Sequence, residues 1–138
     1  MLRHEGVWSG VYRHFSPDAT LLEQHEARIE CVFPTSGPYV YVQHNTFTWT
    51  NGEIKTTSLP AVFRDGKLWW DVETFEGWAW ESEFGIILLN LFRKDDPGAN
   101  FLEMITLSDS GQHRARTWHW FKNGALIRRT TCDETRVE

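Results

Sequence analysis

HEARIECVF, residues 25–33, alternates without a break. His25, Ala27, Ile29, Cys31 and Phe33 make one face, while Glu26, Arg28, Glu30 and Val32 make the other. A period of two is the pattern of a strand with one wet side and one enclosed side. The same alternation recurs along most of the chain, and no stretch with a helical period competes with it. Asn51-Gly52, Asp65-Gly66 and Asn123-Gly124 interrupt it with the dipeptides that supply positive φ for tight hairpins. PTSGP (34–38), DDPG (95–98) and DSG (109–111) add looser turns. The predicted strands are 6–15, 22–33, 38–49, 53–63, 67–74, 77–83, 85–93, 100–108, 113–122 and 124–137, with Pro60 at an edge or bulge. SPDATLL (16–22) has room for no more than a turn of helix.

A hairpin-linked meander of this length cannot stay flat. Strand twist curls it, and its two edges would remain open to pairing with other chains. Closure removes both problems, so the sequence predicts an all-β fold, a closed antiparallel up-and-down barrel of about eight to ten strands. A β-sandwich is the competing architecture. The 138 residues make one domain, 1–138, since domains usually run to about 100–200 residues.

The net charge is -5 and the pI near 5.7, which argues against a nucleic-acid or anionic-membrane surface, where a basic excess is expected. No apolar run is long enough to span a membrane, and MLRHEGVWSG has no signal-peptide core, so a cytoplasmic location is the expectation. Cys31 and Cys132 show no metal-ligand spacing and are expected to stay reduced. Eight Trp, nine Phe and three Tyr accompany a mean hydropathy of only -0.46, so large rings are used without long greasy runs.

The opening stretch GVWSGVYRHFSP (6–17) holds Trp8 between Gly6 and Gly10. A flat ring near the start of the first strand can cover the hole at one end of a barrel, with a guanidinium from the last strand stacked on its face. Arg128, Arg129 and Arg136 are the candidates for that cation. Gly6-Val7-Trp8 resembles the Gly-x-Trp signature of the calycin superfamily, the lipocalin-like barrels. WSG with SPDATLLE, YVQHNTF, and the closing NGALIRRTTCDETRV with its Glu134-x-Arg136 pattern resemble, more specifically, an uncharacterised bacterial and cyanobacterial lipocalin-like family related to the S-type phycobilin lyases. The resemblance implies a barrel that binds a small apolar or amphipathic molecule. The lyase relatives hold a linear tetrapyrrole, but no residue pattern here singles out a bilin.

Candidate ligand contacts come from the ring-rich strands. In KLWWDVETFEGWAW (67–80), Trp70 and Trp80 are expected at a cavity, although half of these rings must pack on the outer wall. In HRARTWHWF (113–121), Arg114, Arg116, Trp118 and Trp120 share a face. Turned inward, that face would receive an anionic aromatic or lipid acid through Arg116 and Trp118; turned outward, it would be a solvated stripe. Tyr41 completes the expected contact set. His25 and His119 fall on faces that read as apolar, where the resemblance to haem-binding calycins would make either an iron ligand and the physics alone a satisfied core histidine. His44 beside Gln43, with Glu103 among Phe101, Ile105 and Leu107, forms the candidate acid/base pair of a lyase or isomerase. No phosphate loop, nucleophile elbow, cofactor motif or metal-ligand spacing is present. The leading expectation is therefore a small-molecule binder without a cofactor. An enzyme using His44 and Glu103 is the alternative, and a packed barrel acting through its outer wall, including as a homodimer, is the third.

Overall fold

The computed structural model describes residues 1–138 and contains ten strands: β1 (Gly6–Phe15), β2 (Leu21–Val32), β3 (Tyr41–Thr48), β4 (Ile54–Arg64), β5 (Lys67–Asp71), β6 (Phe75–Glu81), β7 (Ile87–Arg93), β8 (Ala99–Leu107), β9 (His113–Lys122) and β10 (Ala125–Arg136). Each pairs antiparallel with its sequence neighbours, and β1 also pairs with β10, so the sheet closes into a barrel. A single turn of 3-10 helix, Leu2–His4, precedes β1. Residues 16–20 form a tight turn in which Ala19 N–H donates to Ser16 C=O (3.0 Å), so SPDATLL holds no helical turn. No helix is long and apolar enough to cross a membrane.

Asp65 and Asn123 take left-handed φ of 53° and 49°, as two-residue hairpins of the primed type require. Asn51-Gly52 instead closes a longer loop, where Trp49 N–H donates to Glu53 C=O at 3.0 Å. Pro60 faces Val42 of β3 and lies beyond the β4–β5 ladder, which pairs Val62 to Arg64 alone. Its missing N–H costs no bond to β5.

Trp8 is fully buried, and two guanidiniums stack on its ring, Arg136 at 4.3 Å and Arg114 at 4.5 Å from its centroid. Its indole N–H donates to His4 C=O (2.9 Å). Arg136 also donates to the carbonyls of Arg3 (2.7 Å) and Gly111 (2.8 Å), which ties the N-terminal turn over this end of the barrel. Arg128, expected here as well, lies at the opposite end, because eight strand positions separate it from Arg136, roughly 26 Å of extended chain. The glycines around Trp8 have a steric cause. Gly6 has φ +125°, and a Cβ there would come within 2.5 Å of Arg136 Nη1 and of Glu138 O. A Cβ at Gly10 would sit 2.6 Å from Asp133 O. Both leave room for the last strand to close on the first.

Four buried charges cross the middle of the lumen. Arg116 donates through Nε to Glu103 (2.7 Å) and through Nη1 to Glu134 (3.3 Å) and the Tyr12 hydroxyl (2.9 Å). Arg114 pairs with the other oxygen of Glu134 through Nε and donates to Cys31 Sγ (3.4 Å). Burial alone would lower the pKa of Arg116, but Glu103, Tyr12 and Glu134 outweigh it and hold it well above its ordinary value. Both cysteines are free and buried, and burial followed by the Glu134 charge pushes the Cys132 thiol up to about 12, which keeps it protonated and unreactive.

Two outcomes follow from this core. Glu103→Leu takes the carboxylate from Arg116 Nε and leaves the guanidinium only Glu134 and Tyr12, which should cost up to ~3–5 kcal/mol in urea unfolding, whereas Glu103→Leu with Arg116→Met should cost far less than the sum of the single changes; additive losses would show that the two do not interact. His4 is held down to about 3 from 6.5, by burial first and then by Arg114, the N-terminus and Arg136. The unfolded chain therefore takes up this proton near pH 6.5 while the folded chain does not until about 3. Stability is whole above that window and falls as pH drops through it, by at most ~1.4 kcal/mol per pH unit. His4→Leu should flatten the acid limb of the stability profile, and an unchanged slope would remove His4 as its cause.

Candidate functional site

The lumen is unevenly filled. On the Trp8 side, between the charges and the seal, a cavity of 30 Å³ remains, lined by Tyr41, Leu68, Trp70, Ile105 and Arg114 among others. That is room for about one water molecule. On the other side the barrel opens into a cavity of 290 Å³. Tyr12, Asn45 and Arg116 form its floor, Phe47, Phe75, Trp118 and Trp120 its walls, and Trp49, His14, His25, Glu23, Lys55 and Arg128 its rim.

Strand alternation delivers these side chains. Trp118 and Trp120 follow Arg116 at steps of two on β9, and His14 follows Trp8, Gly10 and Tyr12 in the same way on β1. The rings support one another: Trp118 meets Tyr12 edge-on at 5.0 Å, Phe101 backs Trp120 at 4.6 Å, and His25 lies 4.4 Å from Trp49. A polar ladder runs up one wall, from the Tyr41 hydroxyl to Gln43 (3.0 Å), from Gln43 to Asn45 (2.8 Å) and from Asn45 to Thr57 (2.9 Å). These groups satisfy each other and leave the wall polar without charge.

Arg116 is committed to Glu103 and Glu134, so the floor carries no free cation. The positive charge available to a ligand lies at the rim, on Lys55 and Arg128, neither of which is in an ion pair within the chain. His14 is held down to about 4 by burial, then by Arg128 and His25. Burial also lowers His25. Both imidazoles are therefore neutral at pH 7.

The expected contact residues separate. The face of HRARTWHWF bearing Arg116 and Trp118 turns inward, and both line the open cavity. Tyr41 and Trp70 are inward but belong to the 30 Å³ cavity at the sealed end. Trp80 points outward, because Gly77 and Ala79 occupy the inward positions of β6; it joins Leu88, Leu102, Met104 and Phe121 on the outer wall. The acid/base pair does not form. His44 is exposed on the outer face, with Nδ1 bonded to Ser58 Oγ at 3.0 Å, while Glu103 is buried inside against Arg116. His119 is likewise on the outer wall beside Phe121, which removes it as an interior ligand for a haem. His25 is interior. Trp69 and Trp78 pack on the outside at 5.5 Å, with Arg64 stacked 4.6 Å over Trp69, so this outer stripe is covered by cation stems. Phe47, Trp49 and Lys55 carry no signal of this role in the sequence, whereas counting by twos from Trp8 reaches His14.

No protein-family model matches the sequence, and no curated protein matches it. Solved structures do resemble it. A protein of unknown function from the DUF3598 family, from Nostoc punctiforme, superposes with a TM-score of 0.78 at 17% identity, covering 99% of this chain and 48% of its own. This chain thus spans about half of that protein. The S-type phycobiliprotein lyase CPES from Guillardia theta gives a TM-score of 0.77 at 15% identity, covering 99% of this chain and 90% of its own. Rv2717c from Mycobacterium tuberculosis gives 0.67 at 14%, covering 99% and 94%. At these identities the likeness is one of fold alone: a closed, ten-stranded antiparallel barrel.

Proposed function

We propose that the protein binds one small aromatic or amphipathic acid in the open half of the barrel. The observation that carries this reading is the uneven filling of the lumen, with 290 Å³ left among rings at one end and 30 Å³ at the other. Ligand sites are concave and mostly apolar, with a few polar groups that fix orientation. Phe47, Phe75, Trp118 and Trp120 supply stacking surface, and Asn45 and Thr57 supply polar partners. Lys55 and Arg128 favour an acidic group at the mouth. The likeness to a barrel whose name is that of a phycobiliprotein lyase is compatible with a ligand in the barrel, but the volume lies just below the usual range of about 300–1,000 Å³. A body of one or two fused rings fits, whereas a linear tetrapyrrole would stand mostly outside.

Two fluorescent probes test the reading: 1-anilinonaphthalene-8-sulfonate, which is anionic, and N-phenyl-1-naphthylamine, which is not. Both should bind once per chain, and Trp118→Ala should weaken each about tenfold or more, ~1.4 kcal/mol. Lys55→Ala with Arg128→Ala should weaken the sulfonate alone, and Trp78→Ala on the outer wall should change neither. Binding that ignores Trp118 and responds to Trp78 would overturn the lumen as the site.

A further inference from the structure

We propose that His14, His25 and Glu23 form a site for one divalent transition-metal ion of the zinc type at the rim of the barrel. The three come from the facing strands β1 and β2, where His14 lies directly opposite Glu23 and His25 opposite Tyr12, two positions away. Both imidazoles are inward and buried, at 6% and 7% exposure, and they turn the same nitrogen toward a common point. Their Nε2 atoms are 3.1 Å apart, and Glu23 Oε1 is 4.0 Å from His14 Nε2.

Two nitrogens each about 2.0–2.1 Å from a tetrahedral ion sit roughly 3.3 Å from one another. The observed separation reaches that value with a shift of a few tenths of an ångström. Glu23 is half exposed and makes no competing ion pair, so its carboxylate is free to swing in as the third donor. The far sides of the rings are already engaged. His14 Nδ1 contacts Thr130 Oγ1 (2.8 Å) and His25 Nδ1 contacts Glu26 C=O (3.4 Å). Without a metal the two Nε2 atoms share one proton in a hydrogen bond; an ion displaces that proton, and Thr130 Oγ1 and Glu26 C=O can then accept Nδ1–H from the two rings. Thr130 Oγ1 also accepts the Trp120 indole N–H (2.9 Å), and its two lone pairs can take both donors.

Two imidazoles and one carboxylate suit zinc, cobalt or nickel, and not calcium or magnesium, which want oxygen alone. The three residues also line the open cavity, so the remaining coordination positions face its space, as in open rather than closed metal sites. Lys55 and Arg128 share the rim with a single carboxylate, a balance that favours an anionic donor on those positions. The site depends on this side-chain geometry alone and stands whether or not the cavity takes an organic ligand.

Calorimetric titration of the full chain with Zn²⁺ at pH 7.5 should give one ion per chain. Glu23→Gln, an exposed change that leaves the barrel intact, should weaken binding about tenfold or more. His14→Gln with His25→Gln should abolish it, while His44→Gln with His119→Gln, on the outer wall, should leave it unchanged. Substoichiometric binding, or binding retained in the His14/His25 double variant, would overturn the site. If that double variant fails to fold, the imidazole ¹⁵N spectrum of the unaltered protein decides: one equivalent of Zn²⁺ should shift Nε2 of His14 and His25, and unmoved resonances would exclude them as ligands.

Discussion

Two arginines and two glutamates, taken out of water in the middle of the barrel, set the terms for everything around them. Their charges sum to zero, and each guanidinium must find carboxylate oxygens without help from solvent. Glu103 comes from β8, Arg114 and Arg116 from β9 and Glu134 from β10, with Glu134 opposite Arg114 in the ladder. A slip of one residue in either ladder would carry one side of the set to the outer face and leave the other buried and unpaired. Removing one partner of such a pair is far more costly than never having buried it. The ion pairs thus add little net stability over an apolar core of the same volume, but they penalise every register other than the observed one.

The same four residues divide the lumen. On one side Arg114 reaches past Glu134 to stack on Trp8, and Arg136 stacks on that ring as well. A cation, an indole and a second cation, hydrogen-bonded on their edges except at Arg114 Nη2, fill that half and hold the N-terminal turn against it. On the other side Arg116 turns toward Tyr12 and Trp118, and no comparable stack spans the lumen beyond them. The seal and the open cavity are two consequences of one charge arrangement, with Arg114 serving the first and Arg116 forming the floor of the second.

What was legible in the sequence is what depends on neighbours along the chain. Alternation in residues 25–33 and the Asp65-Gly66 and Asn123-Gly124 turns define strands and hairpins locally, and the excess of strands over anything able to cover them forces closure. Trp8 was legible as a ring that needs a cation from the last strand, but which of Arg128, Arg129 and Arg136 supplies it depends on the end of the barrel each reaches, and alternation along β10 does not give that. The faces of 113–121 were not, since Arg-x-Arg-x-Trp-x-Trp and its partner set both mix polar with apolar groups; only Glu103 and Glu134, on other strands, make the arginine face the inner one. For the same reason His44 and Glu103 looked like a pair when each was judged by its own strand. His14 and His25 belong together through a hairpin register that shifts at His14/Phe15, which no count along the chain supplies. Gly77 and Ala79 set the inward face of β6 and so turn Trp80 outward, although a tryptophan in an aromatic stretch reads as lumen.

The number of strands explains the odd composition and the residual space together. About eight strands give a barrel whose interior aliphatic side chains can just fill, and each added strand widens it. With ten, Val and Leu no longer reach the axis, so the filling falls to Trp, Tyr and Arg, whose long bodies pack while their polar ends bond. Trp8, Trp70 and Trp118 are the buried indoles, and Ala27, Ala61 and Ala79 are the small residues that admit large neighbours. Side chains of this kind give a high aromatic content at a mean hydropathy of -0.46. They meet across the full width only where a charge or a ring has a partner on the far wall. At the sealed end such partners exist; at the other end Trp118, Trp120 and Phe47 line walls without meeting. The cavity is therefore a product of closing ten strands around a core braced at one end, and filling it requires either larger residues there or a molecule from outside.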